Sequence, residues 1–124
     1  MRFLAFVVVA CLGFATPAAA EWRLIGEREV LDRVDRDTIV VEGHQQFERI
    51  RICVYRNPVH FIDADVTYHN GGHQDISIAA LIRPGGCTRD IDLVGEDRDI
   101  ATISMLYEEN SRRRGRAHVR VFAE

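Results

Sequence analysis

Residues 62–82 read IDADVTYHNGGHQDISIAALI, and they decide the fold of this chain. Apolar and polar residues alternate on both sides of Asn70-Gly71-Gly72, with the period of two that is typical of half-buried strands. Asn and Gly tolerate the positive φ that a tight reversal needs, so the stretch predicts a β-hairpin. The apolar stripes are Ile62, Ala64, Val66 and Tyr68 before the turn and Ile76, Ile78, Ala80 and Ile82 after it.

The same alternation continues on both sides of this stretch. Residues 100–107 are apolar on both faces, which favours a central strand. No segment keeps the helical period, apart from one helical turn expected near Leu31–Arg36. The pattern predicts an all-β protein, a single antiparallel β-sandwich of about eight strands that is jelly-roll-like. The predicted core residues are Ile52, Val66, Ile78, Ile91, Ile103 and Val119.

Residues 1–20 have the three parts of a cleavable signal peptide. Arg2 supplies the positive charge, Phe3–Phe14 is an apolar run too short to span a membrane, and Ala18-x-Ala20 predicts cleavage before Glu21. We therefore expect one domain over residues 21–124, located in the periplasm or secreted. An alternative is lipidation at Cys11, which ends the lipobox-like sequence VVAC.

Composition excludes several classes of function. The formal net charge is −3, which argues against sequence-independent nucleic-acid binding, since that needs a basic face. All 16 Lys or Arg positions are Arg, so Schiff-base and lysine-base chemistry are excluded within this chain. After residue 20 no apolar run is long enough for a transmembrane segment.

Two cysteines, Cys53 and Cys87, remain after the predicted cleavage. In an oxidising compartment an isolated pair predicts one disulfide, which stabilises the fold by about 3–4 kcal/mol in the chain-entropy model. On its strand, Cys53 lies on the face that bears Arg, and the apolar residues with which it alternates lie on the other face. We therefore expect the bridge at the surface or at the edge of the sandwich.

Several short motifs occur along nearly the whole of the chain after residue 20: Trp22-x-x-Ile25-Gly26, Asp35-Arg36-Asp37-x-Ile39, Phe47-x-x-Ile50, Asp63-x-x-Val66 with Asn70-Gly71, Arg89-x-Ile91-Asp92-Leu93, Gly95-x-x-Arg98-x-Ile100, and Tyr107 with Gly115-Arg116-Ala117. In these motifs the chain resembles a family of small secreted bacterial β-sandwich proteins, YaaI-like, that is catalogued only as a domain of unknown function. The resemblance implies a secreted sandwich and no known activity, and its pattern includes neither the cysteines nor the histidines.

His69 and His73 flank the hairpin turn and are the candidate metal ligands. Zinc or copper wants a third protein ligand, which Asp75 or Asp63 is placed to supply. We expect solvated turn histidines with at most weak, adventitious metal binding, and hence no cofactor. The pairs Asp63/Asp65 and Asp90/Asp92 are expected to form solvated acidic faces balanced by Arg.

Asp35, Asp37 and Arg98 fall at predicted strand ends. They predict a structural ion pair, and the alternative is the rim of a ligand-binding site. Residues 112–114 are three consecutive Arg, for which we expect a solvated loop tip and, as the alternative, a grip on phosphate or anionic headgroups.

No serine lies in a nucleophile motif, and there is no phosphate-binding or dinucleotide-binding fingerprint. We therefore expect a non-enzymatic, exported binding or interaction module of the bacterial cell envelope, whose partner is an envelope protein or a glycan. The alternative is a carbohydrate-binding module that uses Trp22, Tyr55, Phe61 or Phe122 as a platform. The third hypothesis is a small metal-dependent hydrolase built on the His69/His73 region.

Overall fold

The computed structural model describes residues 21–30, 34–96, 98–109 and 116–124. The predicted signal peptide and the three consecutive Arg lie outside the described residues. None of the described residues belongs to a helix that is long and apolar enough to cross a membrane. The strands are β1 Arg23–Glu29, β2 Val34–Val40, β3 Arg49–Tyr55, β4 Val59–Tyr68, β5 His73–Ile76, β6 Ala80–Ile82, β7 Ile91–Asp92, β8 Ile100–Glu109 and β9 His118–Ala123.

These strands form the two sheets of an antiparallel sandwich, which confirms the predicted fold class. One sheet has the order β1-β9-β3-β7, and the other has the order β2-β8-β4-β5 with β6 also paired to β4. With β6 set aside, this is the strand order of a jelly roll. β8 lies between β2 and β4, so the strand that is apolar along both faces is central, as predicted.

The first and last strands pair along their whole length, from Arg23 opposite Ala123 to Glu29 opposite His118. A bulge between Leu24 and Gly26 interrupts this ladder and bends β1. The expected helical turn near Leu31–Arg36 is wrong from Val34 onward, because β2 begins there and pairs with β8, and its first residues, 31–33, lie outside the described residues.

All six predicted core residues are buried, so the period-two pattern identified the core face correctly. The pattern fails at Ile62, which is exposed, while Phe61 beside it is fully buried. The physical reason is a register shift between Phe61 and Asp63 where β4 pairs with β8. The extra residue of this bulge turns Ile62 to the solvent side.

The hairpin predicted from the Asn-Gly-Gly turn joins β4 to β5. Gly71 has a φ of 87°, a conformation that other residues rarely adopt. The amide of Gly71 donates to the carbonyl of Tyr68 at 3.0 Å, and the amide of Gly72 donates to Asn70 Oδ1 at 2.8 Å. The turn residues therefore carry the reversal that the sequence predicts.

Cys53 and Cys87 are joined by a disulfide, with their Cα atoms 3.9 Å apart. Cys53 lies on β3 and is 4% exposed, whereas Cys87 lies on the segment that runs beside the edge of β3 and is exposed. The bridge is therefore at the edge of the sandwich, as expected. Its half on Cys53 is nevertheless covered, because the segment that carries Cys87 lies against β3.

Candidate functional site

A cleft of about 430 Å³ opens between β1 and β2, the strands that end their sheets on one side of the sandwich. This volume is in the range of small-molecule sites. We call it the β1–β2 cleft. The residues that line it are Arg23, Leu24 and Ile25 from β1, Val40 at the end of β2, Val41, Glu42, Gly43, Gln45 and Phe47 from the following loop, Asp99 before β8, and Ile100 at the start of β8.

Side chains hold the two edges of the cleft in place. Gly26 lies so close to Ile39 that a Cβ at Gly26 would clash with Ile39 Cγ2, which sets the approach of β1 to β2. Arg23 Nη1 donates to Gln45 Oε1 at 2.6 Å and ties β1 to the loop. The close contact of Gly26 with Ile39 therefore borders the cleft on one side, and the hydrogen bond from Arg23 to Gln45 borders it on the other.

The outer edge of β2 presents backbone groups to this side. Arg28 Nη2 donates to the carbonyl of Thr38 at 3.4 Å, so this carbonyl points away from β8. Backbone groups alternate along a strand, so those of Arg36 and Val40 point the same way. Within the described residues β2 pairs with β8 alone. The Val40 side chain is 69% exposed, and Leu24 on the facing strand is also exposed.

A cluster of two histidines and one carboxylate borders the cleft at Asp99. His44 Nδ1 lies 2.9 Å from Asp99 Oδ2, and His69 Nε2 lies 3.7 Å from Asp99 Oδ1. The backbone amide of Gln45 donates to Asp99 Oδ1 at 3.1 Å, and the two imidazole rings are 4.3 Å apart between centroids. Three separate segments, the loop after β2, the β4–β5 turn and the residue before β8, thus meet at one carboxylate.

These contacts keep Asp99 ionised. Burial of the carboxyl raises its pKa, but the hydrogen bonds from His44 and the Gln45 amide, together with the charges of His69 and His44, outweigh it. The pKa of Asp99 therefore lies below its usual 3.8. An ionised carboxylate only accepts hydrogen bonds, so His44 Nδ1 is the donor.

A second cluster lies on the outer face of the five-stranded sheet. His73 Nε2 is 3.6 Å from Asp65 Oδ1 and 3.7 Å from Asp75 Oδ1, and Asp65 and Asp75 are directly opposite in the β4–β5 ladder. The hydrogen bond shared with Asp75, burial, and the charge of Asp75 raise the pKa of Asp65, while His73 opposes this. Asp75 and His73 are exposed, and neither lines the β1–β2 cleft.

The structure therefore places the two candidate histidines of the hairpin in different clusters. His69 joins His44 and Asp99, and His73 joins Asp65 and Asp75, the second of which was one of the two predicted third ligands. The partners His44 and Asp99 were missed from the sequence. Asp99 directly precedes the predicted central strand over residues 100–107, which was the available signal, whereas no predicted strand borders His44.

The predicted trio of Asp35, Asp37 and Arg98 does not come together as a rim. Asp37 is opposite Met105 on the core-facing side of β2, where its carboxylate accepts a hydrogen bond from the hydroxyl of Tyr107. Arg98 precedes β8, and no ion pair among the described residues joins it to Asp37. Asp35 lies on β2 opposite Tyr107. The acidic pair Asp90/Asp92 was expected to be balanced by nearby Arg residues. Such an ion pair is present, since Arg49 Nε lies 3.2 Å from Asp92 Oδ1.

The four candidate aromatic residues do not form an exposed platform. The Arg51 guanidinium lies 3.7 Å from the centre of the Trp22 ring, and that of Arg120 lies 4.8 Å from the centre of the Tyr55 ring. Phe61 is fully buried, and Phe122 is partly buried. Sugar stacking needs open ring faces, and one face each of Trp22 and Tyr55 is covered by a guanidinium.

The opposite side of the sandwich is closed by Gln74 on β5. Its Oε1 accepts hydrogen bonds from the Tyr68 hydroxyl at 2.8 Å and the Val94 amide at 2.9 Å. Its Nε2 donates to the carbonyl of Asp92 on β7 at 3.0 Å. One side chain thus joins the two sheets where the β1–β2 side has a cleft.

Comparisons with known proteins identify the family but not an activity. The model of a family described as domain of unknown function DUF2541 matches residues 3–123. This match confirms the resemblance to a family of unknown function, and the YaaI-like assignment stays a prediction. No curated protein matches the chain. A solved structure of AlgX from Pseudomonas aeruginosa matches at 16% identity and a TM-score of 0.46, over 82% of this chain and 27% of AlgX, so this chain spans about a quarter of that protein.

Proposed function

This chain belongs to the DUF2541 family, and from the geometry of its cleft we propose a function for it. The chain is a non-enzymatic interaction module of the bacterial cell envelope, which binds an extended peptide segment of a partner protein in the β1–β2 cleft. The single observation that carries the proposal is the position of the cleft between two strand edges.

The outer edge of β2 supplies the main-chain contacts for such a segment. The backbone groups of Arg36, Thr38 and Val40 point outward, and the Arg28 guanidinium already uses the carbonyl of Thr38 as an acceptor. A peptide that adds to a sheet edge as a further strand gains affinity from such main-chain hydrogen bonds and specificity from side-chain pockets. The cleft next to β2 is such a pocket.

The side chains of the cleft suit an alternating peptide. Leu24 and Val40 are large exposed apolar residues on its two walls, while Arg23, Glu42 and Asp99 supply charges of both signs. A strand that enters the cleft places every second side chain between these walls and leaves the others in solvent. Apolar residues at alternate positions are therefore the expected specificity.

The envelope location rests on two features. The disulfide between Cys53 and Cys87 is typical of oxidising compartments, and residues 1–20 predict a signal peptide. We expect the exported protein to begin at Glu21. Intact mass spectrometry of protein recovered from the periplasm or the medium measures this, and a lipidated species that starts at Cys11 contradicts it.

Site-specific photo-crosslinking tests the binding site in living cells. A photoreactive amino acid is placed at Val40 in the full-length, exported protein, and adducts are identified by mass spectrometry. The matched control is Val94, an apolar residue that is 59% exposed on the opposite side of the sandwich. We expect a discrete protein adduct at Val40, absent at Val94, that is lost when Leu24→Asp is added.

Three outcomes contradict the proposal. Equal adducts at Val40 and Val94 indicate surface labelling without a site. A Val40 adduct that contains glycan and no peptide moves the chain to the carbohydrate-binding class. Absence of any adduct from correctly exported, folded protein removes the cleft as an interaction site.

A small metal-dependent hydrolase is the second candidate. The observation that favours it is the convergence of His44, His69 and Asp99 beside the cleft, because catalytic zinc sites have three protein ligands and keep one position open. Zinc-dependent hydrolysis of an activated ester by the purified domain, abolished by His44→Ala, is the result that supports this candidate over the first.

A further inference from the structure

We propose that His44, His69 and Asp99 form a binding site for a divalent transition metal ion of the zinc class. The site is separate from the peptide interaction proposed above and does not depend on it, since it needs no partner protein. Potential ligand atoms of the three residues all lie within 4.8 Å of one another.

The donor set has the chemistry that such ions prefer. Imidazole nitrogens suit zinc, copper, iron and nickel, and two histidines with one carboxylate form a recurrent three-residue ligand set for these metals. Calcium and magnesium want six or more oxygens or several waters, and the cluster offers one carboxylate. The residue types therefore favour a transition metal ion such as zinc over calcium or magnesium.

The distances are near those of a loaded site. Zinc ligands at about 2.0–2.2 Å in a tetrahedron are separated by about 3.3–3.6 Å. His69 Nε2 and Asp99 Oδ1 are 3.7 Å apart, and His44 Nδ1 and Asp99 Oδ2 are 2.9 Å apart, a hydrogen bond that the ion replaces when His44 Nδ1 releases its proton to solvent. The His44 side chain is 74% exposed, so the protein interior does not prevent the rotation that its imidazole needs to place a nitrogen on an ion shared with His69 and Asp99.

The carboxylate is already oriented. Asp99 has a side chain that is 14% exposed, and its Oδ1 accepts the backbone amide of Gln45. The backbone carbonyl of Asp99 also accepts the amide of His69 at 2.9 Å, which fixes the turn carrying that histidine beside it. Hydrogen bonds of this kind hold metal ligands in place and increase affinity.

The second histidine–carboxylate cluster provides an internal comparison. Asp65, His73 and Asp75 also offer three donors within the same distance, but only one is an imidazole, and His73 and Asp75 are exposed on a strand face. With a single nitrogen ligand and no orienting contact from a loop, this cluster is expected to bind zinc weakly. His73→Ala is thus the matched control for His44→Ala and His69→Ala.

Calorimetric titration of zinc chloride into the tag-free domain, residues 21–124 with the disulfide intact, tests the proposal. We expect one equivalent of zinc to bind with a Kd below about 1 µM. His44→Ala and His69→Ala each remove a direct ligand, which should weaken zinc binding at least as much as the loss of an orienting contact does. We expect the Kd for zinc to rise by about 100-fold or more in each variant. His73→Ala should leave the affinity unchanged.

Cobalt absorption gives a second readout, because coordinated Co²⁺ has visible bands whose intensity depends on the ligand set. The His44 and His69 variants should each reduce these bands, and His73→Ala should not. Circular dichroism verifies that each variant is folded, and His44 is exposed enough that its loss should not disturb the fold. Asp99 is avoided as the primary variant because it also anchors the loop through Gln45.

Two results overturn the proposal. One is binding weaker than about 10 µM by the wild-type domain, which indicates adventitious contact with surface histidines. The other is tight binding that is lost in His73→Ala and retained in His44→Ala, which places the metal at the second cluster.

Discussion

Strands β5 and β7 meet across one open side of the sandwich, and strands β1 and β2 meet across the other. On the first side, Gln74 joins the sheets through three hydrogen bonds to Tyr68, Val94 and Asp92. On the second side, the bond from Arg28 to Thr38 is long, and a cleft lies next to it. One side is closed by a partly buried side chain, and the other is left accessible.

This difference divides the polar groups at the two sides of the sandwich into those that stabilise the fold and those that are accessible to a ligand. The carboxamide of Gln74 uses both its oxygen and its nitrogen within the protein, so a ligand gains little by competing for them. The outward backbone of β2 and the walls of the cleft make few such contacts. We therefore expect substitutions on the β5–β7 side to change stability and substitutions on the β1–β2 side to change binding.

The largest effect is expected from Gln74→Ala. This change removes three hydrogen bonds, and the hydroxyl of Tyr68, a residue that is 4% exposed, loses its side-chain acceptor. The expected loss of unfolding free energy is about 2–3 kcal/mol. Urea titration followed by circular dichroism measures it.

The matched control for this prediction is Gln45→Ala on the other side. The bond from Arg23 to Gln45 is exposed, so its loss should change stability by less than about 0.5 kcal/mol. Equal losses of unfolding free energy in the two variants would show that the β1–β2 side contributes as much to stability as the β5–β7 side.

A smaller loss is expected from Gly26→Ala. The new Cβ clashes with Ile39 Cγ2, so β1 and β2 must move apart at a cost of about 1–2 kcal/mol. In an Ile39→Ala background the atom that clashes is absent, and the same change should then cost little. A double-mutant cycle from urea titrations measures the coupling. Equal costs in both backgrounds would mean that the separation of the edges is set by other contacts.

A gain in stability is expected from Asp65→Asn, on the β4–β5 ladder. Because the folded state holds the pKa of Asp65 above 3.8, it binds a proton more tightly than the unfolded state does. Stability therefore falls as pH rises from about 3.8 through the raised value, and Asp65→Asn abolishes this fall. The variant should be more stable at pH 7 by less than about 1 kcal/mol.

Urea titrations at pH 4 and pH 7 measure this difference. Asp75→Asn is the control, because it removes the carboxyl that raises the pKa of Asp65 and should act with the same sign. If Asp65→Asn destabilises at pH 7, the attraction of His73 outweighs the repulsion between the two carboxyls.

The smallest effect is expected from Arg28→Ala. The guanidinium is exposed and its bond to the carbonyl of Thr38 is 3.4 Å long, so stability should change by less than about 0.5 kcal/mol. The backbone of β2 becomes more accessible at the same time. The adduct at Val40 should consequently increase, and a decrease would mean that Arg28 itself contacts the bound segment.

Much of the fold follows from the sequence, because the period of two reports directly which side of each strand is buried. The prediction fails at Ile62, since a bulge is decided by how β4 pairs with β8 and leaves no local pattern in the sequence. Asp37 was misplaced for a related reason. It occupies a core-facing position, where it accepts a hydrogen bond from the hydroxyl of Tyr107, and a carboxylate there is not expected from polarity alone.

The candidate site was harder to predict. His69 was singled out because it flanks a recognisable turn, but its partners come from distant parts of the chain, and 55 residues separate His44 from Asp99. Only the pairing of the strands brings these residues together, so no local spacing reveals them. Gln74 escaped notice for the opposite reason, since a lone glutamine next to a turn carries no signal of its hydrogen bonds.

Antiparallel pairing of β1 with β9 determines how the domain responds to stretching. Because Arg23 lies opposite Ala123, a force that separates these two residues acts at one end of the ladder and along its hydrogen bonds. The hydrogen bonds of the ladder then break one after another. A force directed along the strands would instead load all of these hydrogen bonds at the same time. The stretch between Cys53 and Cys87 cannot be extended while its bridge is intact. A domain tethered at Arg23 and Ala123 therefore yields first at the β1–β9 ladder under a small load, while β4, β5 and β6 stay enclosed by the covalent loop.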